Sequence, residues 1–324
     1  MAPAFEEYPR DLTELESGYG TDGACRAYLA RLRWPDGFRC PRCASSRAWP
    51  VGNLWECRDC GHQTSVTAGT IFQDTRTPLP VWFRAMWWLT TQKNGASALG
   101  LQRVLGLKSY ETAWAWLHKM RRAMVRPGRD RLVGRVEIDE AYIGGLEEGK
   151  PGRGSEAKAL IVVAAGEDGR GIGRIRRMKR IPDASAASLE PFIADVVEEG
   201  STIHTDAWRS YLGVAAGGYR HEVSNIKRSG ADAAALLPRV HRVIPLLKRW
   251  LLGTHQGAPG LKHLDYYLDE FTFRFNRRHS KSRGKLFYRL VQQAVSTGPT
   301  TYDQIVHGPQ GPPPSGQPQR IVAT

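Results

Sequence analysis

Four cysteines constrain this chain more than any other feature, because they fall in one short stretch as two CxxC pairs. Cys40 and Cys43 form the first pair, Cys57 and Cys60 form the second, and thirteen residues separate the two pairs. Two CxxC turns brought together offer four thiolates in a tetrahedron, which is the usual arrangement of structural zinc. We therefore predict a zinc ribbon over residues 25–76. Its folding should depend on the metal, because so short a segment cannot bury a core of its own.

A redox-active dithiol is the alternative interpretation of a CxxC pair. Two pairs this close together favour one shared ion over two separate dithiols. A closed set of four cysteine ligands leaves no coordination position for a substrate, so the predicted role of this zinc is structural and not catalytic.

The charge of the chain indicates a polyanionic partner. Lys and Arg number 46 against 32 Asp and Glu, which gives a formal net charge of +14. Residues 1–24 are acidic, so the basic excess lies in the rest of the chain. Nucleic acid is the commonest partner of such an excess, although composition alone fits a merely soluble basic protein equally well.

The sequence shows neither an apolar run of the roughly 18 residues that a membrane span needs nor a secretory signal at its start. We therefore expect the protein in the bacterial cytoplasm, associated with the nucleoid.

Residues 77–130 predict a helix-turn-helix followed by a basic linker. Apolar residues recur at helical spacing on both sides of Gly106, and Ser109 is placed to cap the second helix. Two short helices joined by a tight turn meet the requirement of this DNA-binding motif. The residues expected at DNA phosphates or bases are Lys108, Ser109, Tyr110, Lys119 and Arg122. A helical hairpin that only supports the zinc ribbon is the alternative.

Residues 131–290 have the element order of an α/β domain, with three strands, a helix, a strand and then amphipathic helices. Asp139 and Asp206 each close a predicted strand, where α/β folds commonly assemble their active sites. Acidic oxygens from separate elements can hold two divalent ions for phosphodiester chemistry, although a turn or cap role is the alternative for either residue. His241 and Lys248 lie seven residues apart, so they share one helix face.

The C-terminal residues 291–324 have the composition of a disordered tail. The segment GPQGPPPSGQPQR holds five of the chain's 20 prolines. A segment this poor in large apolar residues cannot bury enough surface to fold, so we predict that the tail is disordered.

Several motifs together resemble one family of proteins. They are the four-cysteine ribbon, VEIDEAYIGG, HTDAWRSY, HRVIPLLKRWLLGTHQG and YLDEFTFRFNRR. From about residue 22 to about residue 290 the chain resembles the zinc-ribbon group (IS1595 type) of bacterial insertion-sequence transposases in the DDE superfamily. The resemblance implies an RNase H-like catalytic domain, with Asp139 on its first, central strand and Asp206 at the end of its fourth. It also implies a transposase that binds the terminal inverted repeats, cleaves DNA strands and transfers them into target DNA, as a homodimer or higher oligomer.

The resemblance further implies a catalytic set of Asp139, Asp206, His241 and Lys248. Many relatives have Glu seven residues before the Lys, and here His241 stands at that position. The three ligands of Mg²⁺ or Mn²⁺ would then be Asp139, Asp206 and His241, and the imidazole shifts the preference toward the softer Mn²⁺. Lys248 would position DNA. Glu270, in the next helix, is the alternative third ligand.

Further charged residues have supporting roles in this interpretation. Glu137 and Glu140 flank Asp139 and are expected to support the ligands. The basic runs Arg174–Arg180 and Arg274–Lys285 are expected to contact phosphates, and Arg277 and Arg278 lie within the second run. The alternative function is a DNA-binding regulator with a zinc ribbon and a helix-turn-helix, derived from an inactive transposase.

Overall fold

The computed structural model describes residues 7–125, 130–144, 158–168, 171–255 and 260–307. Its N-terminal part is helical except for one small antiparallel sheet with strand order β1-β2-β3. The strands are β1 (Ala48–Val51), β2 (Leu54–Cys57) and β3 (Gln63–Ser65). The helices are α1 (Leu12–Tyr19), α2 (Asp22–Arg33), α3 (Leu79–Thr91), α4 (Ala98–Leu105) and α5 (Tyr110–Ala123).

The second part of the chain is built on a five-stranded sheet with strand order β6-β5-β4-β7-β8. Its strands are β4 (Arg135–Ile143), β5 (Ala159–Asp168), β6 (Gly171–Ile181), β7 (Thr202–Asp206) and β8 (Arg220–Ser224). The helices are α6 (Ala186–Val196), α7 (Ile226–Ser229), α8 (Ala233–Leu236), α9 (Pro238–His255), α10 (Leu264–Asn276), α11 (Arg283–Ala294) and α12 (Tyr302–His307). No helix in these described ranges is both long enough and apolar enough to cross a membrane.

Strand β4 lies at the centre of the larger sheet. It pairs antiparallel with β5 and parallel with β7, and β8 continues the sheet parallel to β7. Alternate residues of a strand face opposite sides, so Val136 and Ile138 pack toward α6 while Ala141 and Ile143 pack toward α9 and α10. Because helices cover both faces, β5 is apolar almost throughout.

Strand β4 is longer than the sequence predicted. The expected strand ended at Asp139, but pairing with β5 continues to Ile143. Asp139 therefore lies in the middle of the central strand, and only Asp206 closes its strand. The sequence pattern also missed β8, because that edge strand is mostly polar and shows little apolar alternation.

The N-terminal helices pack as one unit with α11 from the far end of the chain. The ring centroids of Phe83 in α3 and Phe287 in α11 lie 5.6 Å apart, and Tyr19 of α1 contacts both rings. In α1 the buried Leu15 and Tyr19 share a face, while the acidic residues point outward. The predicted boundary at residues 24 and 25 is therefore wrong, because it divides α2 between an acidic segment and the ribbon.

The predicted tail begins too early. Helix α11 continues to Ala294, and α12 follows, with Ile305 almost completely buried. Residues 291–307 are folded because their apolar residues pack against earlier helices. The proline-rich residues 308–324 lie outside the described ranges.

Candidate metal centres and acidic cleft

The four cysteines converge on one point. Their sulfurs all lie within 4.8 Å of one another, and Cys40 to Cys60 and Cys43 to Cys57 measure 3.6 Å and 3.5 Å. Four sulfurs bound tetrahedrally to zinc at 2.3 Å are about 3.8 Å apart, so the geometry fits this ion. The Arg42 N–H donates to the Cys40 sulfur at 3.4 Å, which orients the first turn.

A few side chains hold the ribbon together around this point. Phe38 stacks on Trp55 with a centroid distance of 5.7 Å, and Trp34 packs edge-on against both rings. Ser45 and Arg47 near the first cysteine pair both bond to Asp59 in the second turn. This apolar cluster is small, which agrees with the expectation that metal supplies most of the folding free energy.

Asp139 faces helix α9 across the sheet. Its Oδ1 accepts the N–H of Glu140 at 2.8 Å, and its Oδ2 lies 3.4 Å from Nε2 of His241. His241 Nε2 is buried and has no hydrogen-bond partner in the described structure. Neighbouring ligand atoms of a Mg²⁺ octahedron are about 3 Å apart, so two such atoms suit adjacent positions around one divalent cation.

Asp206 closes β7, the strand parallel to β4. Its Oδ1 accepts the N–H of Trp208 at 2.9 Å, which fixes the carboxylate at the strand end. Burial raises the pKa of Asp139 to about 6, and the negative charges of Asp206 and Glu137 act in the same direction. Within the described ranges the four cysteines are the only group of three or more possible ligand residues whose atoms all lie within 4.8 Å of one another, so Asp139, Asp206 and His241 do not converge as closely.

Lys248 lines the same cleft as Asp139 and His241. Helix α9 places the two basic residues two turns apart, with Pro245 between them on the cleft wall. Pro245 lies inside the helix and does not begin it, since α9 starts at Pro238. The Lys248 side chain is exposed at the mouth of the cleft.

Glu137 fixes the start of the helix that carries His241. Its side chain is completely buried, and its Oε2 accepts the backbone N–H groups of Arg239 at 2.7 Å and Val240 at 3.0 Å. Its Oε1 accepts from the Arg239 guanidinium at 2.5 Å. Glu137 thus caps α9 from the central strand. The sequence signal was the alternation in VEIDE, which puts Glu137 and Asp139 on one strand face.

Glu140 belongs to the opposite face of β4. The Tyr211 hydroxyl donates to its carboxylate, and burial raises the pKa of Glu140 to about 7. Of the two flanking acids, Glu137 therefore contacts the helix that carries His241, while Glu140 accepts its hydrogen bond on the α6 side of the sheet.

Glu270 has a structural position that does not suit the alternative ligand role. It is completely buried, and its two oxygens accept from Arg121 Nε at 2.7 Å and Arg274 Nε at 2.8 Å. Burial alone would raise the pKa of this carboxyl, but the charges of Arg274 and Arg121 outweigh it and lower the pKa. Arg274 also donates to the carbonyls of Leu89 and Gln92 at the end of α3. Glu270 joins the helical unit to the sheet domain.

The predicted DNA-contacting residues of the helix pair divide into two groups. The turn between α4 and α5 is as expected, with Gly106 at a φ of +63° and Ser109 Oγ accepting the Thr112 N–H at 3.3 Å. Lys108, Tyr110 and Arg122 are exposed. Ser109 is engaged in capping and Lys119 is half-buried, and most of α5 is buried against its neighbours. Within α5 the fully exposed residues are therefore those at its first turn and Arg122.

Arg277 and Arg278 pack more than the sequence analysis expected. The Arg277 guanidinium lies 3.9 Å from the Phe273 ring centroid, and burial lowers its pKa to about 10. Arg278 stacks on Phe275 at 4.1 Å and donates to carbonyls of β6, including Gly173 at 3.3 Å. Both side chains hold the end of α10 in place, so the expected phosphate contact does not fit Arg277.

Comparisons with known proteins give three findings. Residues 131–276 match the model of the ISXO2-like transposase domain, and residues 20–63 match the transposase zinc-ribbon domain. An uncharacterized protein in transposable element ISH50 of Halobacterium salinarum is 29% identical over 201 residues, which are 56% of this chain and 66% of that protein. The chain thus spans just under two thirds of that relative.

Among solved structures, one match is a chain in the cryo-EM structure of the simian T-cell lymphotropic virus intasome in complex with PP2A regulatory subunit B56 gamma. It covers 68% of this chain and 77% of the other, at 15% sequence identity and a TM-score of 0.29.

Proposed function

We propose that this chain is an active DNA transposase of the zinc-ribbon insertion-sequence group, because residues 131–276 and 20–63 match the two domain models of that group. It binds the terminal inverted repeats of its own element, cleaves DNA strands at those ends and transfers them into target DNA. Because two ends must be joined to one target, a homodimer or higher oligomer assembles on DNA. The protein acts in the cytoplasm at the nucleoid, and its catalytic domain is RNase H-like, with the first strand of the sheet at its centre.

The orphaned His241 Nε2 carries this proposal. Burying an imidazole nitrogen without a hydrogen bond costs folding free energy. The His241 nitrogen lies 3.4 Å from a carboxylate oxygen of Asp139, and a third group bound by both atoms would offset that cost. Asp139, Asp206 and His241 would hold Mg²⁺ or Mn²⁺. When bound, such ions activate the attacking hydroxyl and stabilise the leaving oxygen of a phosphodiester.

The residues around the cleft bind and orient the substrate. Lys248 reaches the mouth of the cleft, where its ammonium group pairs with a phosphate beside the scissile bond. Glu137 holds the first turn of α9 against β4, so His241 meets Asp139 at a fixed distance.

The N-terminal part locates the ends of the element. Its zinc, held by Cys40, Cys43, Cys57 and Cys60, keeps the ribbon folded. Contacts to DNA come from Lys108, Tyr110 and Arg122, with Ser109 fixing the helix start and Lys119 near the phosphates. Arg278 and the remaining exposed basic residues of the two runs add phosphate contacts on the sheet domain.

A strand-joining assay tests the proposal. Purified protein is incubated with DNA bearing the element's ends and a supercoiled target plasmid, with Mg²⁺ in one series and Mn²⁺ in another. The expected result is metal-dependent nicking at the ends and joined products, lost in Asp139→Asn and Asp206→Asn and retained in the control variant Asp265→Asn.

The alternative is a regulator derived from an inactive transposase, and the observation in its favour is the imidazole at the third ligand position. That protein would bind the element's ends but give no strand products with either metal. Specific binding without products from the unmodified protein would therefore establish the regulator and reject the transposase.

A further inference from the structure

A second concave surface adjoins the acidic cleft. It is a groove of about 880 Å³ at the edge where β5 begins and β6 ends. We name it the Tyr142–Trp208 groove, and its lining includes Tyr142, Lys158, Arg180, Asp183, Ser185 and Trp208. Tyr142 lines both the groove and the cleft of Asp139 and His241, so the two surfaces are continuous.

Two aromatic side chains of the groove follow the two proposed ligands closely. Tyr142 comes three residues after Asp139, and Trp208 comes two residues after Asp206. The Trp208 indole N–H donates to the Ala184 carbonyl at 2.9 Å, and its backbone N–H donates to Asp206 at 2.9 Å. Both rings are only partly buried. The Trp208 ring is therefore held in place, and both rings have part of their surface open to a ligand.

The groove also carries positive charge. Lys158 and Arg180 line it, and among the lining residues that the structure describes the one acid is Asp183. The Asp183 carboxylate accepts the Ser185 N–H at 2.9 Å and the Ser188 hydroxyl at 2.8 Å, so it is engaged at the start of α6. A ligand of this groove should thus combine a flat aromatic part with a negative charge.

Unpaired nucleotides have this chemistry, with a base that stacks and a phosphate that pairs with lysine or arginine. In a duplex the faces of each base are covered by its neighbours, so stacking on a protein ring requires a nucleotide outside the stack. We infer that the Tyr142–Trp208 groove binds the unpaired nucleotides of one DNA strand next to the scissile phosphate. The inference rests on the proposed function, because it assigns a substrate feature to the same site.

A binding measurement tests the groove without catalysis. The full-length protein, without added Mg²⁺ or Mn²⁺, is titrated into two fluorescein-labelled probes, and fluorescence anisotropy reports binding. One probe is a blunt duplex, and the other is the same duplex with a short unpaired thymidine extension. The protein should bind the extended probe roughly tenfold more tightly than the blunt one.

Three variants locate the effect. Tyr142→Leu should remove the preference for the extended probe, while Tyr142→Phe keeps the ring and should retain it. Lys158→Gln should lower the salt dependence of binding to the extended probe by about one phosphate contact. The matched controls are Tyr302→Leu and Lys262→Gln, which change an exposed tyrosine and an exposed lysine outside the groove and outside both basic runs.

The outcomes separate this inference from the proposed function. Equal affinity for the two probes, or a preference that survives in Tyr142→Leu, would overturn the groove assignment while leaving DNA binding intact. Failure to bind either probe would overturn the proposed function as well. Loss of the preference in Tyr142→Leu with its recovery in Tyr142→Phe would support the groove.

Discussion

At the scale of single residues, burial decides what each titratable side chain can do. His118 in α5 is completely buried, and neither ring nitrogen has a hydrogen-bond partner in the described structure. Aromatic rings surround it, with Trp114 at 4.3 Å and Tyr266 at 4.7 Å between centroids. Burial, followed by the charge of Arg121, lowers the pKa of His118 to about 2.

This shift predicts an acid sensitivity. The folded pKa lies below the ordinary histidine value of 6.5, so the contribution of His118 to stability is complete above pH 6.5 and falls as the pH decreases below it. His118→Phe should remove that loss. The free energy of unfolding of the variant, measured relative to wild type, should therefore be about 2 kcal/mol higher at pH 5 than at pH 8.

Urea unfolding at both pH values checks this expectation. The control is His307→Phe, which changes a histidine in the exposed last turn of α12. If the difference in the free energy of unfolding between His118→Phe and wild type is the same at pH 8 and pH 5, the predicted acid sensitivity is wrong.

At the scale of elements, the strand–helix connection at Glu137 matters most. Glu137→Ala leaves the buried N–H groups of Arg239 and Val240 and the Arg239 guanidinium without their acceptor. We expect a loss of about 3 kcal/mol in the free energy of unfolding, and a smaller loss for Glu137→Gln, which keeps an acceptor oxygen. Chemical denaturation measures both, with Glu140→Gln as the control from the opposite strand face. If Glu137→Ala lowers the free energy of unfolding by less than Glu140→Gln does, the capping role of Glu137 is excluded.

The ribbon gives the second prediction at this scale. The protein should contain about one zinc per chain, and Cys40→Ser should release it and unfold the ribbon. The sheet domain has its own core, so it should remain folded in this variant. Elemental analysis and a thiol-reactivity assay measure the two effects, with Cys25→Ser as the control because Cys25 is buried away from the cluster. A zinc content unaffected by Cys40→Ser would refute the assignment.

Sequence patterns predicted the elements whose signals are local. The cysteine spacing, the cap at Ser109 and the apolar run of β5 each depend on residues close together in the chain. The Glu270 role could not be predicted, because its partner Arg121 lies 149 residues away. The packing of α1 and α11 in one core could not be predicted either, because their apolar residues are buried only when these two distant helices come together. The alternation in VEIDE did indicate the strand face on which Glu137 lies, but its contact with helix α9 was visible only in the structure.

At the scale of the whole molecule, the helical unit and the sheet domain are not separate modules. Arg121, Glu270 and Arg274 form a buried ion cluster that joins α5 and α10 and bonds to the end of α3. Trp250 of α9 also donates to the Asn94 carbonyl at 2.9 Å. The surface that α5 gives to these contacts is not available to DNA in this arrangement.

Breaking the ion cluster should therefore destabilise the entire protein. Glu270→Gln leaves two buried arginines with an uncharged partner, and we expect a loss of about 3–5 kcal/mol in the free energy of unfolding. Differential scanning calorimetry should show both units unfolding at lower temperature. Asp265→Asn, in the same helix, serves as the control. A change limited to one transition, or no change, would mean that the two units are stable independently.

The central claim is that His241 and Asp139 bind one divalent cation. Pulsed electron paramagnetic resonance of Mn²⁺ added to the zinc-loaded protein tests it directly, because a coordinated imidazole nitrogen gives a characteristic modulation of the Mn²⁺ signal. We expect this nitrogen signal in the wild type, its loss in His241→Ala, and its persistence in the control His279→Ala. We also expect His241→Glu to bind Mn²⁺ without the nitrogen signal and to gain affinity for Mg²⁺. Bound Mn²⁺ whose nitrogen signal survives in His241→Ala, or is absent from the wild type, would rule out His241 as a ligand of this cation.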